Sequence, residues 1–593
     1  MPRVSRYTLL PLIFPLVLAG GCATVTPSER SNSEALREQA EQRQDSVTTP
    51  LEQRKAPAAP RSIDPQTEAQ YHILVGELAL RREQPEVAAR SFLAALRNVP
   101  DLELATRATQ LALAANDDLL ALEAAGQWLR LEPNAMEPRE VILRVSLARG
   151  EGETALTQAR QIAEGHAGGL DEGFRYLGLL LARVPPTDAD SALALLDLLL
   201  REYPQQPGAH YAMAMLAMQF QRLPLAETAA LKARELAPEA REYALLLAGV
   251  RVRQDRFDEA VTLMEAQLDD MPADAQADLR LAFARILLDA NSLQRGQAQL
   301  QAVLKTRPDD SEAALLLGML SLNLGDKAAA RKHLEPLLDG ERKQEAALQL
   351  GRLAESEGDW QAALAYYSSI TRGPAGLDAA IRRAVVMSRL GQTDDARRLL
   401  QTLREDVPPL SVRLFLAEAD MLFADGDLAS ARAVYDEALD AHAGHPDLLY
   451  GRALVLEQLQ AFDAAEADLR EVIERDPDDA RALNALGYML IVNRGALSQA
   501  RPLIERAIAQ SPDDPAIIDS MGWLLFREGD TAGALPYLQR AHDMFPDPEV
   551  AAHLGEVLWM LGERERATAV WQAALAEHPD HAVLRETVHR LQR

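Results

Sequence analysis

Residues 551–579 read AAHLGEVLWMLGERERATAVWQAALAEHP. Two runs of strong helix formers flank Gly562, which supplies the turn between them. Small residues at Gly555 and Ala567 let the two helices cross closely, Trp571 fills the gap to the next unit, Ala574 keeps the repeat offset, and Pro579 stops the second helix. The result is a hairpin, helix A followed by helix B. The preceding stretch carries the same signature at Gly522, Gly529, Ala534, Leu538, Ala541 and Pro546. A hairpin of this kind buries its faces against copies of itself, so a stack is implied.

Working outward, the pattern persists. Prolines recur at Pro204, Pro238, Pro272 and Pro308, spaced 34, 34 and 36, and at Pro477, Pro512, Pro546 and Pro579, spaced 35, 34 and 33. Glycines keep step at Gly318, Gly351, Gly487, Gly522 and Gly555, as do alanines at Ala226, Ala260, Ala431, Ala465, Ala534 and Ala567. Nearer the N-terminus the units are more degenerate, yet Gly76, Ala88, Phe92, Ala95 and Pro100 fit. The phase slips between Gly165 and Pro186 and between Asp289 and Ala298. A period near 34 with these offsets resembles the tetratricopeptide repeat. The resemblance implies an all-α solenoid, a right-handed superhelix of about 15 helix hairpins over residues 67–581. Residues 582–593, with Leu584, Val588 and Leu591 among charged residues, read as the capping helix that such an array needs at its end.

Composition agrees. At 593 residues the chain exceeds what one core usually serves, a limit that a repeat array escapes. Hydrophobic residues make up 48% but aromatics only 5%, so the apolar content lies in Ala and aliphatics, which suit close helix packing. The formal net charge of -27 opposes binding to nucleic acid, which demands clustered Lys and Arg. It favours basic partners or basic patches on them.

The N-terminus reads MPRVSRYTLLPLIFPLVLAGGCATVTPSER. Arg3 and Arg6 precede an apolar run, Tyr7 to Leu18, that is too short to span a bilayer, so residues 1–21 read as a signal peptide. Leu18-Ala19-Gly20-Gly21-Cys22 resembles the bacterial lipobox, although Ala19 stands where that pattern usually has Leu. The resemblance implies that Cys22 carries lipid; the other reading is an ordinary secretory signal with an incidental cysteine. Ala23, rather than Asp, after Cys22 resembles the pattern for the outer membrane, so the chain is expected to be lipid-anchored there and to face the periplasm. Residues 22–66 are poor in large apolar side chains and read as a flexible tether. Within them Ser33 to Arg43 is either a solvated spacer or a segment that orders as helix on a partner.

Stacked hairpins present helix A along a concave groove, so protein binding is the natural work of this shape. The register places Tyr450, Asn484, Tyr488, Asp519, Trp523, Phe526 and Trp559 at groove positions, where aromatics anchor apolar side chains and Asn484 and Asp519 hold a backbone or a basic group. The rings equally suit packing between helices. The Lys/Asn pattern that some relatives use to clamp a C-terminal carboxylate is not recognisable.

Apparent chemistry dissolves on inspection. His442 with His445, and His578 with His581, have a ligand-like spacing but lie at helix ends without a third ligand, so no metal is expected. Gly150-Glu-Gly152-Glu-Thr-Ala155 mimics a dinucleotide fingerprint without its βαβ setting and falls at an inter-helix turn. With no phosphate loop, nucleophile elbow or spare cysteine, neither catalysis, cofactor nor small-molecule substrate is expected.

Three segments, ALNALGYML, DSMGWLLFREGDTAGALPYLQRA and AAHLGEVLWMLGERERATAVWQAAL, together with the lipobox and overall length, resemble the LbcA-type tetratricopeptide outer-membrane lipoproteins. Those are adaptors for a periplasmic carboxyl-terminal processing protease. The resemblance implies a non-enzymatic adaptor that docks the protease and its peptidoglycan-hydrolase substrates. The alternative is a structural assembly lipoprotein for exopolysaccharide export or another outer-membrane machine.

Overall fold

The computed structural model describes residues 64–268, 271–371 and 376–592. The signal peptide, Cys22 and the tether up to residue 63 lie outside these residues. Among them are 31 α-helices and no strand. The helices pair in order into fifteen antiparallel hairpins, from Pro65–Leu80 with Pro85–Asn98 to Pro548–Met560 with Arg564–Glu577, and leave Ala582–Leu591 over as a final single helix. The chain divides into two compact units, the described part of one ending at Leu320 and the other beginning at Ser321. In the first, one apolar cluster runs through Phe174, Leu196, Leu216, Leu247 and Phe283. In the second, a comparable cluster joins Leu456, Leu469, Leu486, Ile504 and Leu524 across successive hairpins.

The hairpin works as its sequence requires, with one correction. A side chain added at Gly555 would run into the indole of Trp571, so Trp571 fills the space inside its own hairpin rather than the gap to the next unit. The same lock recurs sixteen residues apart at Gly522 with Leu538, where an added Cβ would lie 2.7 Å from Leu538 Cγ, and at Gly76 with Phe92, where it would lie 2.5 Å from the ring. Gly487 is locked by Ile504, seventeen residues on. The extra residue has a visible cause. Gly487 to Gly495 spans one residue more than Gly522 to Gly529, and the surplus is taken up as a π-helical turn, Leu490–Arg494, after the helix Ala480–Met489.

The A-to-B turns hold a left-handed residue. Gly562 (φ 86°) and Gly529 (φ 96°) are as the sequence implies, and Gly150 (φ 72°) is indeed an inter-helix turn. Elsewhere Glu83, Asn116, Gln221, Asp255, Asn291 and Gln460 take the same conformation without being glycine. In the slipped region near residue 182 the turn is longer and contains a 3₁₀ segment, Pro186–Asp188, before the helix Ala189–Glu202. The second slip follows a long helix A, Ala273–Asp289. Helix B stops two residues before Pro477, Pro512, Pro546 and Pro579, at Arg475, Gln510, Met544 and Glu577, because the residue preceding proline is driven out of the α region. Over Pro548–Met560 lies the terminal helix, with Leu584 fully buried and Arg590 paired with Glu556 at 2.6 Å.

Candidate functional site

One contact fixes which side of the second unit is its inner face. The Tyr488 hydroxyl, on Ala480–Met489, donates to Glu549 Oε1, on Pro548–Met560, at 2.5 Å. These helices belong to hairpins separated by a whole intervening hairpin. Side chains reach over a neighbour only where the stack curves inward, so the A helices line the concave side. The first unit repeats the arrangement by itself: Tyr243 donates to Asp171 at 2.6 Å, and Arg175 pairs with Glu242 at 2.9 Å, again skipping one hairpin.

Around Tyr488 a polar cluster is built from four successive A helices. Asp519, on Pro515–Arg527, meets His553 Nδ1 at 3.0 Å and 3.1 Å through its two oxygens, and both side chains are buried. The imidazole stacks on the Trp523 ring with centroids 3.9 Å apart. Burial alone would lower the pKa of His553, but the charge and hydrogen bond of Asp519, with Glu549 and Glu556 beyond, carry it above its ordinary value. On the other side Asn493, in the π-helical turn, donates to Glu457 Oε1 at 3.2 Å. Burial pushes the Glu457 carboxyl up to about 7; the Asn493 amide works against this and the nearby charge of Glu549 adds to it. Neither Glu457 nor Glu549 is paired with a Lys or Arg among the described residues.

The residues singled out from sequence fall in or beside this cluster. Asn484 is half-buried one turn before Tyr488, and its amide oxygen has no hydrogen-bond partner. Trp523 is only 8% exposed, covered by His553 and by Phe526 at 5.2 Å, so it is part of the wall rather than an open anchor. Its indole N–H has no acceptor. Tyr450 is half-buried beneath the Arg481 guanidinium, 5.3 Å from its ring centre, and burial raises its hydroxyl pKa. Trp559 lies further along, 5.7 Å from Trp571 and under Arg564 at 4.9 Å.

Sequence reasoning missed His553, Glu549, Glu457 and Asn493. His553 left a signal, a lone polar residue in the otherwise apolar run Val550-Ala-Ala-His-Leu554. Asn493 left none, because its placement depends on the inserted residue.

The histidine pairs have structural duties. His442 Nε2 is 2.8 Å from the Ser411 hydroxyl, and His581 Nδ1 caps the last helix at the Leu584 amide. Among the described residues no three His, Cys, Asp or Glu side chains are grouped to hold a metal ion. Among the same residues no helix is long and apolar enough to cross a membrane.

Fold and face together define a class: a stack of helical hairpins with an aromatic, acidic inner surface. The chain belongs to the tetratricopeptide-repeat family, whose models match residues 211–278, 281–340, 322–376, 381–446, 450–515 and 525–588. It is 32% identical over 553 residues to the TPR repeat-containing protein PA4667 of Pseudomonas aeruginosa, covering 88% of each chain. It is also 30% identical over 207 residues to cellulose synthase 1 operon protein C of Komagataeibacter xylinus, 32% of this chain and 16% of that one. Among solved structures it is similar to a chain of the APC/C hetero-tetramer Cut9-Hcn1, with 14% identity, a TM-score of 0.33, and coverage of 89% of this chain and 91% of that one. Tetratricopeptide proteins act as protein-interaction scaffolds, and the fold is typically non-catalytic.

Proposed function

We propose that this protein is a non-enzymatic adaptor, anchored by lipid on Cys22 to the outer membrane and facing the periplasm, that docks a carboxyl-terminal processing protease together with its peptidoglycan-hydrolase substrates. The observation that carries the reading is the polar and aromatic inner face of residues 446–560. It overlaps, over residues 480–560, the stretch of about 480–579 whose wording resembles the LbcA-type adaptors. A lipid anchor confines the complex to one surface, and a long array offers room for two partners at once, which raises the effective concentration of substrate beside the protease. The lipobox supports the anchor, and the fold supports binding.

A second reading has its own observation. The match to a cellulose synthase operon protein favours an assembly scaffold for polysaccharide export, which would use the same face without a protease.

The test is a pull-down from detergent-solubilised envelopes, read by mass spectrometry, with the wild type and a Cys22→Ala variant. The adaptor reading predicts that the wild type recovers a carboxyl-terminal processing protease from the membrane fraction, and that Cys22→Ala moves the complex to the soluble periplasm. Recovery of export components alone would replace it with the scaffold reading.

A further inference from the structure

The helix Pro65–Leu80 opens the described stack, and its two sides are unequal. One side is closed: Ala69, Gly76 and Ala79 are buried, with Gly76 locked by Phe92 of the same hairpin. On the other, Tyr71, Leu74 and Leu78 stand 62%, 64% and 54% exposed. Spaced three and four residues apart, they form one stripe. The register identifies it. At the same distances from the lock glycine, later A helices carry Ile517, Ser520 and Leu524 around Gly522, and Val550, His553 and Val557 around Gly555, all of them buried. The stripe is therefore the face that these later A helices turn to the hairpin before them.

Ile517 shows what covers that face. It packs with Leu483 and Ala507 of the preceding hairpin, and Leu503 lies against them. Leu503 and Ala507 belong to the helix B Leu497–Gln510, in the run Leu503-Ile-Glu-Arg-Ala507. The chain ahead of Asp64 holds a run of the same form, Leu36-Arg-Glu-Gln-Ala40, inside Ser33–Arg43. Elsewhere between Cys22 and Ile63, Pro27, Pro50, Pro57 and Pro60 interrupt any helix. Charge agrees with this match. Helix B runs antiparallel to the next helix A, which would carry Glu34 towards the end where Arg81 and Arg82 are exposed and paired with no carboxylate among the described residues.

We propose that Ser33–Arg43 docks as a short helix on Tyr71, Leu74 and Leu78 of its own chain, in the place that a preceding helix B takes in later hairpins. Magnitudes favour this occupant. Three side chains on one helix fall well short of the ~800 Å² per partner that a stable dimer needs. A segment already joined to the stack loses little translational freedom on docking, so a small face suffices. The exposed Glu68 beside the stripe and the net charge of -27 oppose a lipid surface. With Cys22 as the anchor, docking leaves 11 residues, 22–32, between lipid and array instead of the 42 of 22–63. That cuts the r.m.s. reach of the array from about 36 Å to about 18 Å.

The experiment is amide hydrogen exchange, read by mass spectrometry, on the whole chain from residue 22 with Cys22→Ala, so that no detergent competes for the stripe. Residues 33–43 should exchange about tenfold or more slowly than a free chain, independently of protein concentration. Leu74→Asp combined with Leu78→Asp should abolish that slowing. Leu36→Asp should abolish it too and speed exchange over 71–80, while Arg81→Glu with Arg82→Glu should weaken it in part. Unchanged protection of the cluster from Phe174 to Phe283 shows that each variant folds. Free-chain exchange over 33–43, or slowing that survives the Leu74 and Leu78 changes, would overturn the proposal. So would slowing that grows with protein concentration, the mark of a second copy. Slowing over 71–80 that appears only when phosphatidylglycerol vesicles are added would overturn it in favour of a lipid surface.

Discussion

Gly555 and Trp571 show how much of this fold is decided by single residues. An added methyl group at Gly555 meets a rigid indole, so one helix must move. Gly555→Ala is expected to cost about 1–3 kcal/mol, the usual range for overpacking, read as a shift in the urea midpoint. Asp420 makes a different prediction. Burial lifts its carboxyl to about 6, while the hydrogen bond from Tyr435, 3.0 Å long, draws it down. A folded pKa above the unfolded value means that the folded protein keeps a proton which the unfolded chain releases. This contribution is fully present below about pH 4 and is lost as the pH climbs through about 6. Asp420→Asn should therefore match wild type near pH 4 and exceed it by about 2–3 kcal/mol at pH 8, by urea denaturation across that range. A constant difference at all pH values would contradict the assignment. The glycine positions of the hairpin were legible from their period, but the seat of Trp571 was not, since the sequence assigned it to the gap to the next unit and it packs against Gly555 inside its own hairpin. The state of Asp420 was not, since it depends on what packs over it.

At the scale of elements, the hairpins follow from turn and stop signals, and their failures of legibility have physical reasons. The turns at Glu83, Gln221, Asp255 and Gln460 were hidden because non-glycine residues hold a left-handed conformation that tertiary packing imposes. The one-residue surplus before Gly495 was countable, yet its outcome, a π-helical turn that presents Asn493 to Glu457, is decided by which backbone hydrogen bonds survive. The terminal helix was legible from Leu584, Val588 and Leu591. Removing residues 580–593 should expose the face of Pro548–Met560 that Leu584 covers and release Glu556 from Arg590. The last hairpin should then lose amide-exchange protection over 548–577 ahead of the hairpins before it, because stability in a stack is passed between neighbours. Unchanged protection there would show that the helix is not a cap.

For the whole molecule, the class of fold was plain from periodicity, while the chemistry of the inner face was only half visible. The register placed Asn484, Tyr488, Asp519 and Trp523 on one face, and the structure brings them together. What it adds, His553 locked to Asp519 and two carboxylates without a Lys or Arg partner among the described residues, arises from contacts between hairpins, one of them reaching over a neighbour, which no local pattern encodes. The central claim, that this face serves an adaptor and not a catalyst, is tested most directly by reconstitution. A purified carboxyl-terminal processing protease and a peptidoglycan-hydrolase substrate would be assayed for the rate of cleavage with and without the full-length protein in detergent. The account predicts no cleavage by this protein alone and, with the protease, cleavage about tenfold faster or more, a gain of the size that co-localisation supplies. An unchanged rate, with no complex between the two proteins, would contradict it.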